Sequence, residues 1–217
     1  MNKAVVLLSG GLDSTTLLYY ARSKKFVPHC LIFDYGQRHK KEIRMAMALA
    51  RKVKATFDVV KIQLPWQGSS LLDKKMKIPE QGDIDGKNIP STYVPARNII
   101  FLSFALSCAE AIGAKVIFIG ANAVDYSGYP DCRPAFFDAY RKVIKTGVKT
   151  GVQGKNIEIQ TPLLNMTKAQ IIKMGMQLGV PYDLTWSCYK GGKKPCGVCD
   201  SCRLRMKGFK AVEGYIL

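Results

Sequence analysis

Long apolar runs are missing from this chain. The longest near the N-terminus, Ala4 to Leu8, is cut off by Ser9, Gly10 and Gly11. That excludes a signal-peptide core or a membrane span there, and a cytosolic (cytoplasmic) protein is expected. Acidic residues are scarce, 16 against 33 Lys and Arg, for a formal net charge of +17. Such an excess raises the question of nucleic-acid binding. The basic residues, however, fall in short scattered groups (Lys24-Lys25, Lys40-Lys41, Lys74-Lys75, Lys193-Lys194) that read as solvated faces, and an anionic small substrate would gain from the same field. Direct tRNA binding is therefore not expected. Internal repeats and low-complexity tracts are absent too. A hydrophobic content of 47% with 23% charged residues fits a folded domain, and 217 residues suffice for one α/β unit with an appendage.

Two familiar phosphate-binding patterns are also missing: Gly-x4-Gly-Lys-Ser/Thr and Gly-x-Gly-x-x-Gly. What stands in their place is an apolar run, a glycine turn and an amphipathic segment: Leu8, Ser9, Gly10, Gly11, Leu12, Asp13, Ser14, Thr15, Thr16, Leu17 and Leu18. This order predicts strand, tight loop and helix. The glycines let phosphate oxygens approach the main chain, and the cap-forming residues around the helix start sit where free N–H groups favour an anion.

Further on, helices are expected at Thr15 to Lys24, His39 to Val53, Ile99 to Ile112, 134 to 145 and, capped by Thr167, up to Leu178. Strands are expected at Phe26 to Phe33, Thr56 to Leu64, Lys115 to Gly120 and Ile157 to Gln160. The alternation predicts an open parallel sheet with helices on both faces, of Rossmann-like α/β class. Residues 65–92, rich in Pro, Gly, Gln, Asp and Lys, read as a mobile flap, and 147–154 as a turn. Polar loops follow two strands at the carboxyl ends where ligands of such sheets gather. One holds Asp34 to His39; the other holds Asp125, Tyr126, Tyr129, Asp131 and Arg133.

Near the C-terminus Cys188, Cys196, Cys199 and Cys202 form Cys-x7-Cys-x2-Cys-x2-Cys. Two Cys-x2-Cys steps sharing Cys199 can wrap thiolates around one centre, as a tetrahedral structural Zn²⁺ requires; an iron-sulfur cluster can use similar spacing. A boundary is expected after residue 186, with 187–217 a tail poor in apolar residues and tied down by metal. Cys30, Cys108 and Cys132 read as small buried apolar residues.

The Ser-Gly-Gly-x-Asp-Ser loop resembles that of the ATP-pyrophosphatase superfamily, whose members split ATP between the α and β phosphates. Asp34 to His39, Tyr93 to Asn98, Asp125 to Arg133 and the cysteine tail narrow this. Together they resemble the 7-cyano-7-deazaguanine synthase family of queuosine biosynthesis. The resemblance implies conversion of 7-carboxy-7-deazaguanine and ammonia to a nitrile through adenylated intermediates, with ATP, Mg²⁺ accompanying the ATP, and a homodimer. It places ATP on Leu8 to Leu18, with Asp13 on Mg²⁺ or fixing the loop, and Arg97 and Lys168 near phosphate. Asp125, Tyr126, Tyr129, Asp131 and Arg133 would meet the substrate, although loop aspartates often only close turns. His39 would assist proton removal or simply be a polar loop residue. His29 is expected to be structural. Two other readings compete: a sulfur-transferring tRNA-modifying enzyme with the same loop, and a non-catalytic zinc module that binds nucleic acid.

Overall fold

A computed structural model describes residues 2–80, 88–124 and 128–213. Asp125 and Tyr126, expected in the substrate loop, lie outside the described residues.

β1 (Lys3–Leu7) is apolar on both faces, as a central parallel strand must be. It pairs in parallel with β2 (Val27–Asp34) on one side and β4 (Val116–Phe118) on the other. β3 (Thr56–Lys61) and β5 (Glu158–Gln160) complete the order β3-β2-β1-β4-β5. The helices are α1 (Leu12–Ser23), α2 (Lys41–Lys52), α3 (Arg97–Ile112), α4 (Pro134–Gly147), the short α5 (Lys149–Val152), α6 (Lys168–Gln177) and α7 (Asp200–Glu213).

The period of two along each strand divides the core into two layers. Val5, Leu7, Leu31, Phe33 and Ile117 enter the layer closed by Leu102 and Ala105 of α3 and Phe137, Tyr140 and Ile144 of α4. Ala4, Val6, Cys30, Ile32 and Phe118 enter the opposite layer, closed by α1, α2, α6 and α7. The strand order reverses beside β1, so the carboxyl ends of β1 and β4 frame the crevice where a ligand of an open parallel sheet is bound.

Within the described parts of 65–92, residues 65–68 and 74–77 are exposed, while Ser69, Ser70 and Leu71 are buried, Ser70 N–H donates to Ser91 O at 2.8 Å, and Ile78 lies against the cysteine segment. Two expectations change. The stretch 147–154 contains α5 as well as turns. The tail is held by more than its cysteines, because α7 packs along α6 with Leu204 and Val212 buried. Gly208 sits between these two on the same stripe. A Cβ there would come within 2.6 Å of Lys168 Cγ, so the missing side chain is what permits close helix approach. No helix among the described residues is long and apolar enough to cross a membrane.

His29 bridges two strands as a structural residue, its ring nitrogens 2.9 Å from Thr56 Oγ1 and 3.0 Å from Asp58 Oδ2. Burial pushes the Cys30 thiol up to about 12 and that of Cys132 up to about 11, consistent with their reading as small core residues.

Candidate functional site: a cleft at the switch point

The turn between β1 and α1 opens into a cleft of about 250 Å³. Gly11 caps α1, and among the described residues no side-chain cap bonds the first-turn amides. The serines expected as caps do something else: Ser9 Oγ and Ser14 Oγ lie 2.9 Å apart, Ser14 Oγ accepts from Ser9 N–H at 3.2 Å, and Ser9 Oγ accepts from Gly11 N–H at 3.3 Å. The helix start is thus left as an anion site with its loop braced from within. Two glycines make this possible. Gly10 has φ +78°, and a Cβ on it would lie 2.4 Å from Glu42 O. Gly120, after β4, lies so close that its Cβ would be 3.4 Å from Ser14 N.

Leu8, Ser9, Gly11, Leu12, Asp13 and Ser14 line the cleft. Thr15, Thr16, Leu17 and Leu18 do not: all four are fully buried, and Thr16 Oγ1 is 2.9 Å from Tyr182 Oη. The stretch expected to meet ATP thus lines the cleft over its first part and packs within the protein over its last four residues.

Every helix that follows a strand starts at this end of the sheet, so several positive dipole ends converge here. Lys168, the first residue of α6, donates from Nζ to both Asp13 oxygens at 2.8 Å. Its helix is closed by a capping box in which Thr167 Oγ1 accepts from Gln170 N–H and Gln170 Oε1 accepts from Thr167 N–H. A cation at a helix start opposes the dipole, and Asp13 offsets that cost. Arg97, the first residue of α3, follows Ala96, whose φ of +55° is left-handed. Burial works against the guanidinium charge of Arg97, but Tyr35, Tyr129 and Asp131 around it outweigh that and keep it protonated; Nη1 donates to Tyr35 Oη at 3.4 Å.

The loop after β2 supplies a group that sequence reasoning missed. Gln37 is buried, its Oε1 accepting from Tyr35 N–H at 2.8 Å and its Nε2 donating to Phe33 O at 3.0 Å and Glu42 Oε1 at 3.1 Å. Burial pushes the Glu42 carboxyl up to about 7, against the opposing pull of the Gln37 hydrogen bond and of Arg97. His39 lines the cleft beside it, half-buried, with Nδ1 lacking a hydrogen-bond partner among the described residues. Burial lowers its pKa, so the ring is neutral. The signal for Glu42 was present in the sequence: it stands four residues before Ala46 and seven before Leu49, on the buried stripe of α2.

The loop after β4 is divided. Tyr129 lines the cleft, its Oη 2.7 Å from Thr92 Oγ1. Asp131 is buried and holds α3 in place: Oδ2 accepts from Asn98 N–H at 3.1 Å, and Asn98 Nδ2 donates to Asp131 O at 3.2 Å. Asn98 therefore presents to the cleft a side chain whose backbone Asp131 fixes. Arg133 is exposed at the cap of α4 and is not among the residues lining the cleft.

One wall comes from the cysteine segment. Trp186, Ser187 and Tyr189, with Ser201, Leu204 and Arg205 of α7, line the cleft. Trp186 N–H donates to Gly10 O at 2.9 Å, Nε1 donates to Cys188 O at 3.0 Å, and the Lys41 ammonium sits 3.6 Å from its ring centroid. Sγ atoms of Cys188, Cys196, Cys199 and Cys202 lie within 4.8 Å of one another. Main-chain N–H groups of Cys196 and Cys199 donate to Cys188 Sγ and Cys196 Sγ at 3.4 Å, as they do to thiolates. The donor set fits a metal ion.

A parallel sheet with a Ser-Gly-Gly turn and an open helix start at its switch point is a fold of the ATP-pyrophosphatase type. Solved structures share the fold. NMN synthetase from Francisella tularensis matches with TM-score 0.51 at 16% identity, covering 90% of this chain and 70% of its own. The U34-tRNA thiolase NcsA from Methanococcus maripaludis, with its [4Fe-4S] cluster, matches with TM-score 0.51 at 15% identity, covering 100% and 72%. Sequence similarity goes further. The profile of the family "Queuosine biosynthesis protein QueC" matches residues 3–213, and the chain belongs to that family. The 7-cyano-7-deazaguanine synthase of Nostoc punctiforme is 53% identical over 211 residues, 95% of this chain and 94% of its own. That of Thermoplasma acidophilum is 53% identical over 209 residues, 95% and 87%.

Proposed function

We propose that the chain converts 7-carboxy-7-deazaguanine, ammonia and ATP to 7-cyano-7-deazaguanine. The observation that carries this reading is the open start of α1 at the switch point, in a chain more than half identical to synthases of that name over nearly its whole length.

A carboxylate resists ammonia until its oxygen is made a leaving group. Attack of that oxygen on the ATP α-phosphorus gives an acyl-adenylate and releases pyrophosphate; ammonia then displaces AMP to leave an amide. Adenylation of the amide oxygen and loss of AMP give the nitrile. In both activations the amides of Gly11 and the first turn of α1, with the Ser9 and Ser14 hydroxyls, would hold the departing diphosphate. Arg97 would face the negative charge that develops, in a cleft where such charge is poorly screened. The lock on Asp13 by Lys168 supports its loop-fixing role over direct metal binding. Mg²⁺ bound with the triphosphate would neutralise part of its charge. Tyr129 and Asn98 would border the flat deazapurine, with Asp125 and Tyr126 as further candidates; Asp131 and Arg133 act at a remove, through α3 and α4.

Four thiolates leave no open coordination position, so zinc held by Cys188, Cys196, Cys199 and Cys202 would be structural, keeping Trp186 against Gly10. Exposed Ile99 and Phe104 on α3 offer an apolar surface for a homodimer. The test is incubation with 7-carboxy-7-deazaguanine, ammonium and ATP. Nitrile, AMP and pyrophosphate are expected, without dependence on tRNA. ADP and orthophosphate, or ATP use that requires tRNA, would overturn the reading.

A further inference from the structure

We infer that Glu42 is the group that takes the nitrogen proton as the amide is dehydrated, with Gln37 as its positioning residue; the inference rests on the reaction proposed above. The step needs a base. When the amide oxygen attacks the α-phosphorus, pyrophosphate leaves and one N–H proton must go, giving an imidate-adenylate. When the C–O bond then breaks, AMP departs with that electron pair, the second N–H proton is lost, and the N–H electrons become the new C–N π bond. Each turnover thus releases two protons from one nitrogen.

Of the side chains around the cleft, Glu42 is best suited. It lies on the first turn of α2, with its backbone against Gly10, and so beside the loop assigned to the phosphates. Gln37 is locked by three hydrogen bonds and donates the third to Glu42 Oε1, leaving Oε2 for a proton. The charged group facing Glu42 from α3 is Arg97, and Tyr35 faces it from the β2 loop. Arg38, His39, Asp13, Lys168, Arg205, Tyr129, Cys132 and Tyr189 are the other charged or titratable residues of the lining. Asp13 is occupied by Lys168, and the His39 ring is packed against Gly191, where a Cβ would lie 2.2 Å from His39 Cβ. A carboxyl that changes protonation near neutrality can accept a proton and return it to solvent between steps.

The experiment supplies the amide with ATP, which isolates dehydration, and follows nitrile and AMP across pH for wild type, Glu42→Gln and Gln37→Leu. Wild type is expected to show a kcat limb near pH 7. Glu42→Gln should lose the limb and about 10²- to 10⁴-fold in kcat while binding ATP and the amide as wild type does. Gln37→Leu should keep turnover but move the limb upward. Glu42→Gln with wild-type turnover and limb would overturn the inference alone, and so would a variant whose only defect is weaker ATP binding. Wild type forming no nitrile would overturn the functional reading instead.

Discussion

The ammonium of Lys168 donates to both carboxylate oxygens of Asp13 at 2.8 Å, joining the first turn of α6 to the first turn of α1. Lys168→Met keeps most of the stem but leaves Asp13 without its partner in a mostly buried setting. Loss of one member of a buried pair should cost about 3 kcal/mol, read by urea unfolding. Turnover should fall at least tenfold, because the cradle is no longer anchored to α6. A variant with wild-type stability would show that the pair holds nothing.

Gly208 tests the same anchor from outside the cleft. Alanine there should gain about 1 kcal/mol of helix propensity. The new Cβ, however, meets Lys168 Cγ at 2.6 Å and Ile172 Cδ1 at 2.8 Å, and overpacking of this kind costs about 1–3 kcal/mol. Gly208→Ala is expected to lower the thermal midpoint and kcat together. A rise in both would mean that α6 and α7 adjust without moving Lys168.

Glu42 should make stability depend on pH in a definite direction. Its folded pKa, about 7, lies above the ordinary carboxyl value of 4.5, so the folded state binds the proton more tightly. The contribution is full below 4.5 and is lost as pH rises through about 7. Glu42→Gln removes the cost of the buried charge and should match wild type at pH 4. It should exceed wild type at pH 8 by about 3 kcal/mol at most. Chemical denaturation at the two pH values checks the sign; a variant less stable at pH 8 would contradict it.

Metal removal should act on the nucleotide through Trp186. Its N–H bond to Gly10 O and its packing on Cys188 and Ile78 make the cysteine segment one wall of the cleft. In a Trp66→Phe background, which leaves Trp186 as the single tryptophan, chelation should red-shift the emission and weaken ATP binding at least tenfold, while far-UV circular dichroism stays near wild type. Unchanged ATP affinity would separate the metal segment from the cradle.

The sheet was legible because β1, β2 and β4 are predominantly apolar and are followed by glycine or polar loops, and the cradle because two adjacent glycines come soon after the first of them. The cysteines were legible from spacing. What escaped was set by partners distant in sequence. α7 hides its apolar stripe behind Gly208, which has meaning only against Lys168 of α6. The bond of Asp131 to the Asn98 main chain joins residues 33 apart in sequence. Glu42 looks like one more surface charge in Lys40-Lys41-Glu42 until Gln37 and Arg97 close over it. Thr15 to Leu18 share a motif with the cradle but are fully buried, because α1 is enclosed on nearly all sides.

Oxygen tracing follows the two activations to their products. With both carboxylate oxygens of 7-carboxy-7-deazaguanine labelled with ¹⁸O, each adenylation should carry one labelled oxygen into AMP. Mass spectrometry should then find two singly labelled AMP molecules for each nitrile, with pyrophosphate unlabelled. Label in orthophosphate or in water would mean that ATP is not split between its α and β phosphates by the substrate's own oxygen.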